Sequence, residues 1–246
     1  MTRKRFCTFS LLVITAIPCT AVQAGLVIGG TRFIYNSKDA SITFQVKNTS
    51  QNPYLVQSKI ISEDGKNTLG TTGLTPPTDV PFIATPPLFP LKAGRENVVR
   101  IMYTAGNLPK DRESVFWLSV TGIPGTKEKA RDNTLQIAVR NRIKLFYRPE
   151  GIPGRSADAY RQLSWSHTGS NVTVKNPTPY YVTLFNLTVN GTRRPDAGMV
   201  APFSSRTQPW CPASGECALQ WQTIDDYGAV MPPLHVNVNA TLQKGQ

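Results

Sequence analysis

The sequence predicts an all-β protein made of two sandwich domains, and three observations lead there. Short alternating or β-branched runs recur along the chain, with Pro, Gly, Asn and Asp between them. Their spacing is that of β-sandwiches. No stretch keeps helical periodicity for several turns, and 20 prolines disfavour long helices.

The elements follow in order. Residues 41–46 place Ile42, Phe44 and Val46 on one face, 54–61 follow Pro53, and 97–103 alternate through Val99 and Ile101. Residues 115–120 and 135–147 complete a first group. A second group comprises 171–174, 180–189, 218–224 and 235–242. Between the groups, Pro149, Gly151, Pro153 and Gly154 break the pattern, so the boundary is set at 147/148. The domains are then 25–147 and 148–246, each about the size of an immunoglobulin-like sandwich.

Residues 1–24 read as a cleavable export signal. Arg3, Lys4 and Arg5 form a basic start, 9–17 an apolar run, and Val22-Gln23-Ala24 a small-residue cleavage site. The apolar run is too short to cross a bilayer, and no later run approaches about 18 apolar residues. Cys19 follows Pro18 where a lipoprotein would carry a small residue, which disfavours lipidation. The expected mature chain starts at Gly25 and is soluble and exported.

The formal charge of +12 falls to +9 once the three signal cations are gone. Nucleic acid is excluded as a partner, because export argues against it and no recognition motif gathers the spread cations. Of the cysteines, Cys211 and Cys217 remain, and in an exported chain they read as one local disulfide. So short a ring is stabilised by about 2 kcal/mol. Zinc is the alternative, but His167 and His235 are distant in sequence and lack ligand spacing. No Ser-His-Asp order, metal cluster or phosphate loop is visible, so neither an enzyme nor a cofactor is expected.

The most informative segment is 135–149, LQIAVRNRIKLFYRP. Leu135, Ile137 and Val139 alternate with Gln136, Ala138 and Arg140, and a basic half follows with Arg142, Lys144 and Arg148. Such a strand offers apolar side chains, backbone groups and fixed positive charge to an extended peptide with a carboxylate end. From alternation alone, the simpler reading is that these residues line the protein's own core.

Seven motifs in order carry a resemblance: Thr31-Arg32-Phe33-Ile34-Tyr35, Asn52-Pro53-Tyr54-Leu55-Val56-Gln57, Ile83-Ala84-Thr85-Pro86-Pro87 and Leu108-Pro109-Lys110-Asp111-Arg112-Glu113-Ser114. Ile143-Lys144-Leu145-Phe146-Tyr147-Arg148-Pro149, Asn176-Pro177-Thr178-Pro179-Tyr180-Tyr181 and Ile224-Asp225-Asp226-Tyr227-Gly228 complete the series. Over nearly the whole mature chain, the sequence resembles the periplasmic chaperones of the chaperone–usher pathway, which assemble pili and fimbriae.

The resemblance implies two immunoglobulin-like sandwiches joined at an angle, with a cleft between them. It also implies a periplasmic protein that caps pilus subunits with a donor strand, here 133–144, and delivers them to an outer-membrane usher. Leu135, Ile137 and Val139 would fill the subunit groove, while Arg32 and Lys144 would hold the subunit's terminal carboxylate. Glu113, Arg148 and Asp226 would form an interdomain salt bridge, and Thr85-Pro86 would be cis. The short segment 122–133 places the chain in the short-loop subfamily. Lys144 has opposite parity to Leu135, which a twist or bulge would have to accommodate. An exposed apolar edge also allows weak self-association of the free chaperone.

The competing reading is an exported adhesion or glycan-binding module, with Trp165, Trp210 and Trp221 as its candidates. It has no use for the basic alternating strand.

Overall fold

A computed structural model describes residues 25–62, 80–125 and 137–241. The expected signal segment, Leu135 and most of the 122–133 connection lie outside the described residues.

The first sandwich is built from β1 (Leu26–Ile28), β2 (Arg32–Asn36), β3 (Ile42–Asn48), β4 (Tyr54–Ser62), β5 (Phe82–Thr85), β6 (Leu88–Leu91), β7 (Glu96–Tyr103), β8 (Ser114–Pro124) and β9 (Val139–Arg148). One sheet runs β1-β3-β7-β5 and the other β2-β9-β8-β4-β6. The N-terminal stretch therefore changes sheets: β1 pairs antiparallel with β3, whereas β2 pairs parallel with β9. Between the sheets Phe44, Val46, Val56, Val99, Leu118 and Leu145 pack in a continuous core, joined by Phe82 and Tyr35. Strict alternation explains these strands, since β3 buries every second residue from Phe44 to Asn48.

A 3₁₀ turn at Ser156–Gln162 leads into the second sandwich. Its strands are β10 (Ser164–Thr168), β11 (Asn171–Lys175), β12 (Val182–Thr183), β13 (Phe185–Val189), β14 (Thr192–Arg193), β15 (Met199–Val200), β16 (Ser205–Gln208), β17 (Glu216–Gln222) and β18 (Leu234–Thr241). The ladder β14-β13-β17-β18-β10-β11-β16 and the pair β12-β15 enclose a separate core containing Tyr160, Val172, Val174, Leu187, Leu219 and Trp221. Cys211 and Cys217 form a disulfide, both buried against that core.

Two sequence expectations need correction. The single strand over 180–189 is interrupted: β12 and β13 join different partners, and the pairing of β13 shifts between Phe185 and Thr188. Asn186 sits there at φ 47°, a left-handed conformation that Asn tolerates better than most residues. The strand expected over 135–147 starts, among the described residues, at Val139. In this register Ile137 falls opposite Pro124, which has no N–H to give a ladder. The Thr85-Pro86 peptide bond is cis.

Candidate functional site

β2 and β9 place the two expected anchor cations side by side. In their parallel register Arg32 is opposite Lys144, and residues in register share a face. Phe33, Leu145 and Tyr147 turn toward the first core, so Arg32, Lys144 and Phe146 turn the other way. That second face meets the other domain. Phe146 is only 3% exposed and packs on Tyr181, with ring centroids 5.8 Å apart.

Arg32 reaches across the same boundary. Its Nη1 donates to the Ile224 carbonyl oxygen at 2.8 Å, and its guanidinium lies 6.0 Å from the Phe146 ring centroid. Burial lowers its pKa from the ordinary arginine value, against the opposing charges of Asp226, Asp225 and Glu113. Its Nε is buried without a hydrogen-bond partner among the described residues, an uncommon state for a charged donor. Lys144 carries its Nζ 5.9 Å from the ring centroid of Trp117, its cross-strand partner on β8.

Beside these cations, Arg148 links the domains. Its Nε donates to Glu113 Oε1 at 2.7 Å, while Nη1 and Nη2 donate to the two Asp226 oxygens at 2.7 and 2.9 Å. Ser156 Oγ donates to Asp226 Oδ2, and the guanidinium lies 5.3 Å from the Tyr180 ring centroid. Glu113 is 4% exposed, and its Oε2 accepts the Tyr181 N–H at 2.8 Å. Its own N–H donates to the Pro179 carbonyl at 2.9 Å.

Burial pushes the Glu113 carboxyl above its ordinary pKa, against the pull of Arg148 and the Tyr181 N–H. For Asp226 burial acts in the same direction, but the hydrogen bonds and charge of Arg148, with the Ser156 hydrogen bond and the charge of Arg32, together outweigh it and the carboxyl is held below its usual range. Burial opposes the charge on Arg148, yet its two carboxylates raise its pKa still further.

The N-terminal part of β9 differs from the rest of the strand. β2 covers only 144–148 of its edge, while β8 pairs with the opposite edge from Val139 onward. Among the described residues, no strand pairs with the remaining edge over 139–143. A groove opens beside it, with Leu26 and Ile28 on one wall and Asn141, Arg142 and Ile143 on the other. Val139 is 55% exposed and Ile137 66%, whereas Ile143 and Leu145, of the same parity, are buried. The β8–β9 pairing carries no bulge from Val139 onward, so Val139 and Lys144 occupy opposite faces of the strand, while the relation of Lys144 to Leu135 lies outside the described residues.

Two family models cover most of the chain. The pili and flagellar-assembly chaperone model, PapD N-terminal domain, matches residues 25–153, and the pili assembly chaperone PapD C-terminal domain model matches 158–234. The chain belongs to the PapD family of pili assembly chaperones. The fimbrial chaperone YcbF of Escherichia coli K12 is 37% identical over 230 residues, covering 93% of this chain and 95% of YcbF. Among solved structures, the E. coli chaperone DraB superposes with a TM-score of 0.73 at 36% identity, covering 87% of this chain and 96% of DraB. SafB, solved as a complex with the SafA pilin of Salmonella enterica, gives a TM-score of 0.73 at 32% identity, covering 86% and 95% of the two chains.

This chaperone is therefore a two-domain immunoglobulin-like protein of the fimbrial assembly class. Membership removes the adhesion-module reading, and its candidate tryptophans belong to the second domain's own packing. Trp221 is buried in the second core with Trp165 packed 5.3 Å from it, and Trp210 lies between Arg194 and Arg206. Sequence reasoning missed Trp117, Tyr181 and the Ile224 carbonyl as parts of the cation site. The first is recoverable from cross-strand pairing, whereas the other two depend on how the domains meet.

Proposed function

We propose that this chaperone binds unfinished pilus subunits in the periplasm and completes each with its own β9 edge. The supporting observation is the coincidence on β9 of a backbone edge over 139–143 that no strand covers among the described residues, exposed Val139 with exposed Ile137 just before it, and Lys144 beside Arg32. A subunit lacking one strand of its sandwich supplies what that edge needs: complementary N–H and C=O groups and an open apolar groove. Leu135, Ile137 and Val139 fill the groove, each contributing roughly 1.5–3 kcal/mol before ordering costs.

Arg32 and Lys144 hold the subunit's terminal carboxylate. Charge-assisted hydrogen bonds to a carboxylate are about twice as strong as neutral ones. Opposite parity suits the division of labour, because the odd face enters the subunit while the even face grips its end between the domains. Fixing the end also fixes register, since a slip of one residue would turn the apolar row outward. Glu113, Arg148 and Asp226 set how the domains meet and so shape the carboxylate site.

In this reading residues 1–24 direct export and are removed, and the domain boundary lies at 147/148. The protein acts by binding alone, without a cofactor, and passes its cargo to the outer-membrane usher. Affinity purification from a periplasmic extract, followed by mass spectrometry, tests the proposal. A small pilus subunit should co-elute in near-equal amount. Recovery of the free chaperone alone from a piliated culture would contradict it.

A further inference from the structure

The outward face of the β2-β9-β8-β4-β6 sheet carries a group of cations that no acid neutralises among the described residues. On β8, Leu118 and Val120 belong to the first core, so Ser119 and Thr121 face the other way. Cross-strand register sets Lys59 of β4 and Arg142 of β9 on either side of Ser119. The next row holds Gln57, Thr121 and Arg140. Arg140 Nε donates to Thr121 Oγ1 at 3.3 Å, which steers the guanidinium across the sheet. Among the described residues, none of Lys59, Arg140 and Arg142 pairs with a carboxylate.

Like charges that face one another across strands destabilise a sheet. Burial, together with the charges of Arg140 and Arg142, lowers the pKa of Lys59 from the ordinary lysine value. Beneath these side chains Ser119 is only 1% exposed, although it lies on the outward face. Its Oγ has no hydrogen-bond partner among the described residues, an uncommon state for a buried hydroxyl.

We propose that Lys59, Arg140 and Arg142 form, over Ser119, a binding site for a phosphate group. A tetrahedral oxyanion presents several acceptor oxygens at once. The guanidiniums meet two of them in forked geometry, and the ammonium acts as a point charge. The Ser119 hydroxyl donates to the oxygen nearest the sheet. The bound anion also cancels the repulsion among the three cations. Lys144 lies one row beyond Arg142 and leans on Trp117, so the site is separate from the pair it forms with Arg32. Free phosphate and an anionic lipid headgroup offer the same chemistry.

The test uses the mature chain at constant ionic strength. Calorimetric titration with inorganic pyrophosphate should show saturable binding. Lys59→Gln and Arg142→Gln should each weaken it roughly tenfold, the scale of one charge-assisted hydrogen bond. Pyrophosphate should raise the thermal midpoint of the parent and leave that of Lys59→Gln nearly unmoved. Co-sedimentation with phosphatidylglycerol vesicles, against phosphatidylcholine vesicles, separates the two sources. Lys59-dependent retention on the anionic vesicles assigns a lipid headgroup, and pyrophosphate binding without such retention assigns a free anion. Binding in neither arm overturns the proposal, as does binding that both variants leave undiminished. Lys59→Gln should still recover subunits from a periplasmic extract. Loss of that recovery at an unchanged midpoint would make the cluster part of the subunit site and overturn its assignment as a separate one.

Discussion

Replacing Arg148 with alanine strands two carboxylates at the domain boundary, and the structure sets the size of the loss. The Glu113 side chain is only 2% exposed, and without Arg148 its Oε1 loses the donor at 2.7 Å while Oε2 keeps the Tyr181 N–H. Breaking a buried ion pair by deleting one partner costs about 3–5 kcal/mol, because the remaining charge stays buried. Asp226 is 26% exposed, keeps Ser156 and is partly screened, so its share is at most about 1 kcal/mol. We therefore expect Arg148→Ala to lose about 3–6 kcal/mol. Arg148→Met combined with Glu113→Gln should recover most of this, because neutral replacements of similar volume remove the desolvation penalty along with the pair. The assay is urea unfolding followed by tryptophan fluorescence and circular dichroism, with Trp117 reporting on the first domain and Trp165, Trp210 and Trp221 on the second. A single free energy is read only where the probes coincide. A loss below about 1 kcal/mol for Arg148→Ala, the value of an exposed pair, would refute this reasoning. So would a double variant no more stable than the single one.

Other consequences are as direct. Lys144→Ala should abolish recovery of subunits from periplasmic extracts and leave the thermal midpoint within a few degrees of the parent, because the ammonium lies outside the first core; normal pilus output would contradict this. Gly122→Val should cost about 1–3 kcal/mol by overpacking, since a Cβ at this position runs into the Leu26 side chain and Tyr54; an unchanged thermal midpoint would count against the packing described. Acid should act through Asp226. Its lowered folded-state pKa stabilises the protein above the ordinary Asp value of about 3.9, and that contribution is lost as pH falls through the folded value. Glu113, raised by burial, has the opposite sign: its contribution is present below the ordinary Glu value of about 4.3 and is lost as pH rises through its folded value. Asp226→Asn should therefore flatten the fall in thermal midpoint below about pH 4, and an acid limb as steep as the parent's would refute the assignment.

What the sequence disclosed depended on the range of the interactions involved. Strands with strict alternation, such as β3, β7 and β18, are legible because one residue in two must face a core. The short strands β5 and β6 are not, since Pro81, Pro86, Pro87 and Pro90 make the region read as turn. β1 and β2 are equally obscure: they belong to one stretch that changes sheets, and only the partner strands decide where each half pairs. In the site, residue types in ordered motifs singled out Arg32, Lys144, Glu113, Arg148 and Asp226. The sequence did not reveal that Lys144 and Val139 use opposite faces of an unbulged strand, since a bulge is a property of the ladder. Nor did it show that a backbone carbonyl at Ile224 would hold Arg32, because carbonyls leave no trace in residue identity.

Amide hydrogen exchange on the free and subunit-loaded chaperone probes the lent edge most directly. On loading, protection should rise at those amides of 139–143 that face away from β8, an edge with which no strand pairs among the described residues, and stay nearly constant across 144–148, which β2 already covers. Unchanged exchange at 139–143, with new protection confined to another surface, would contradict the account.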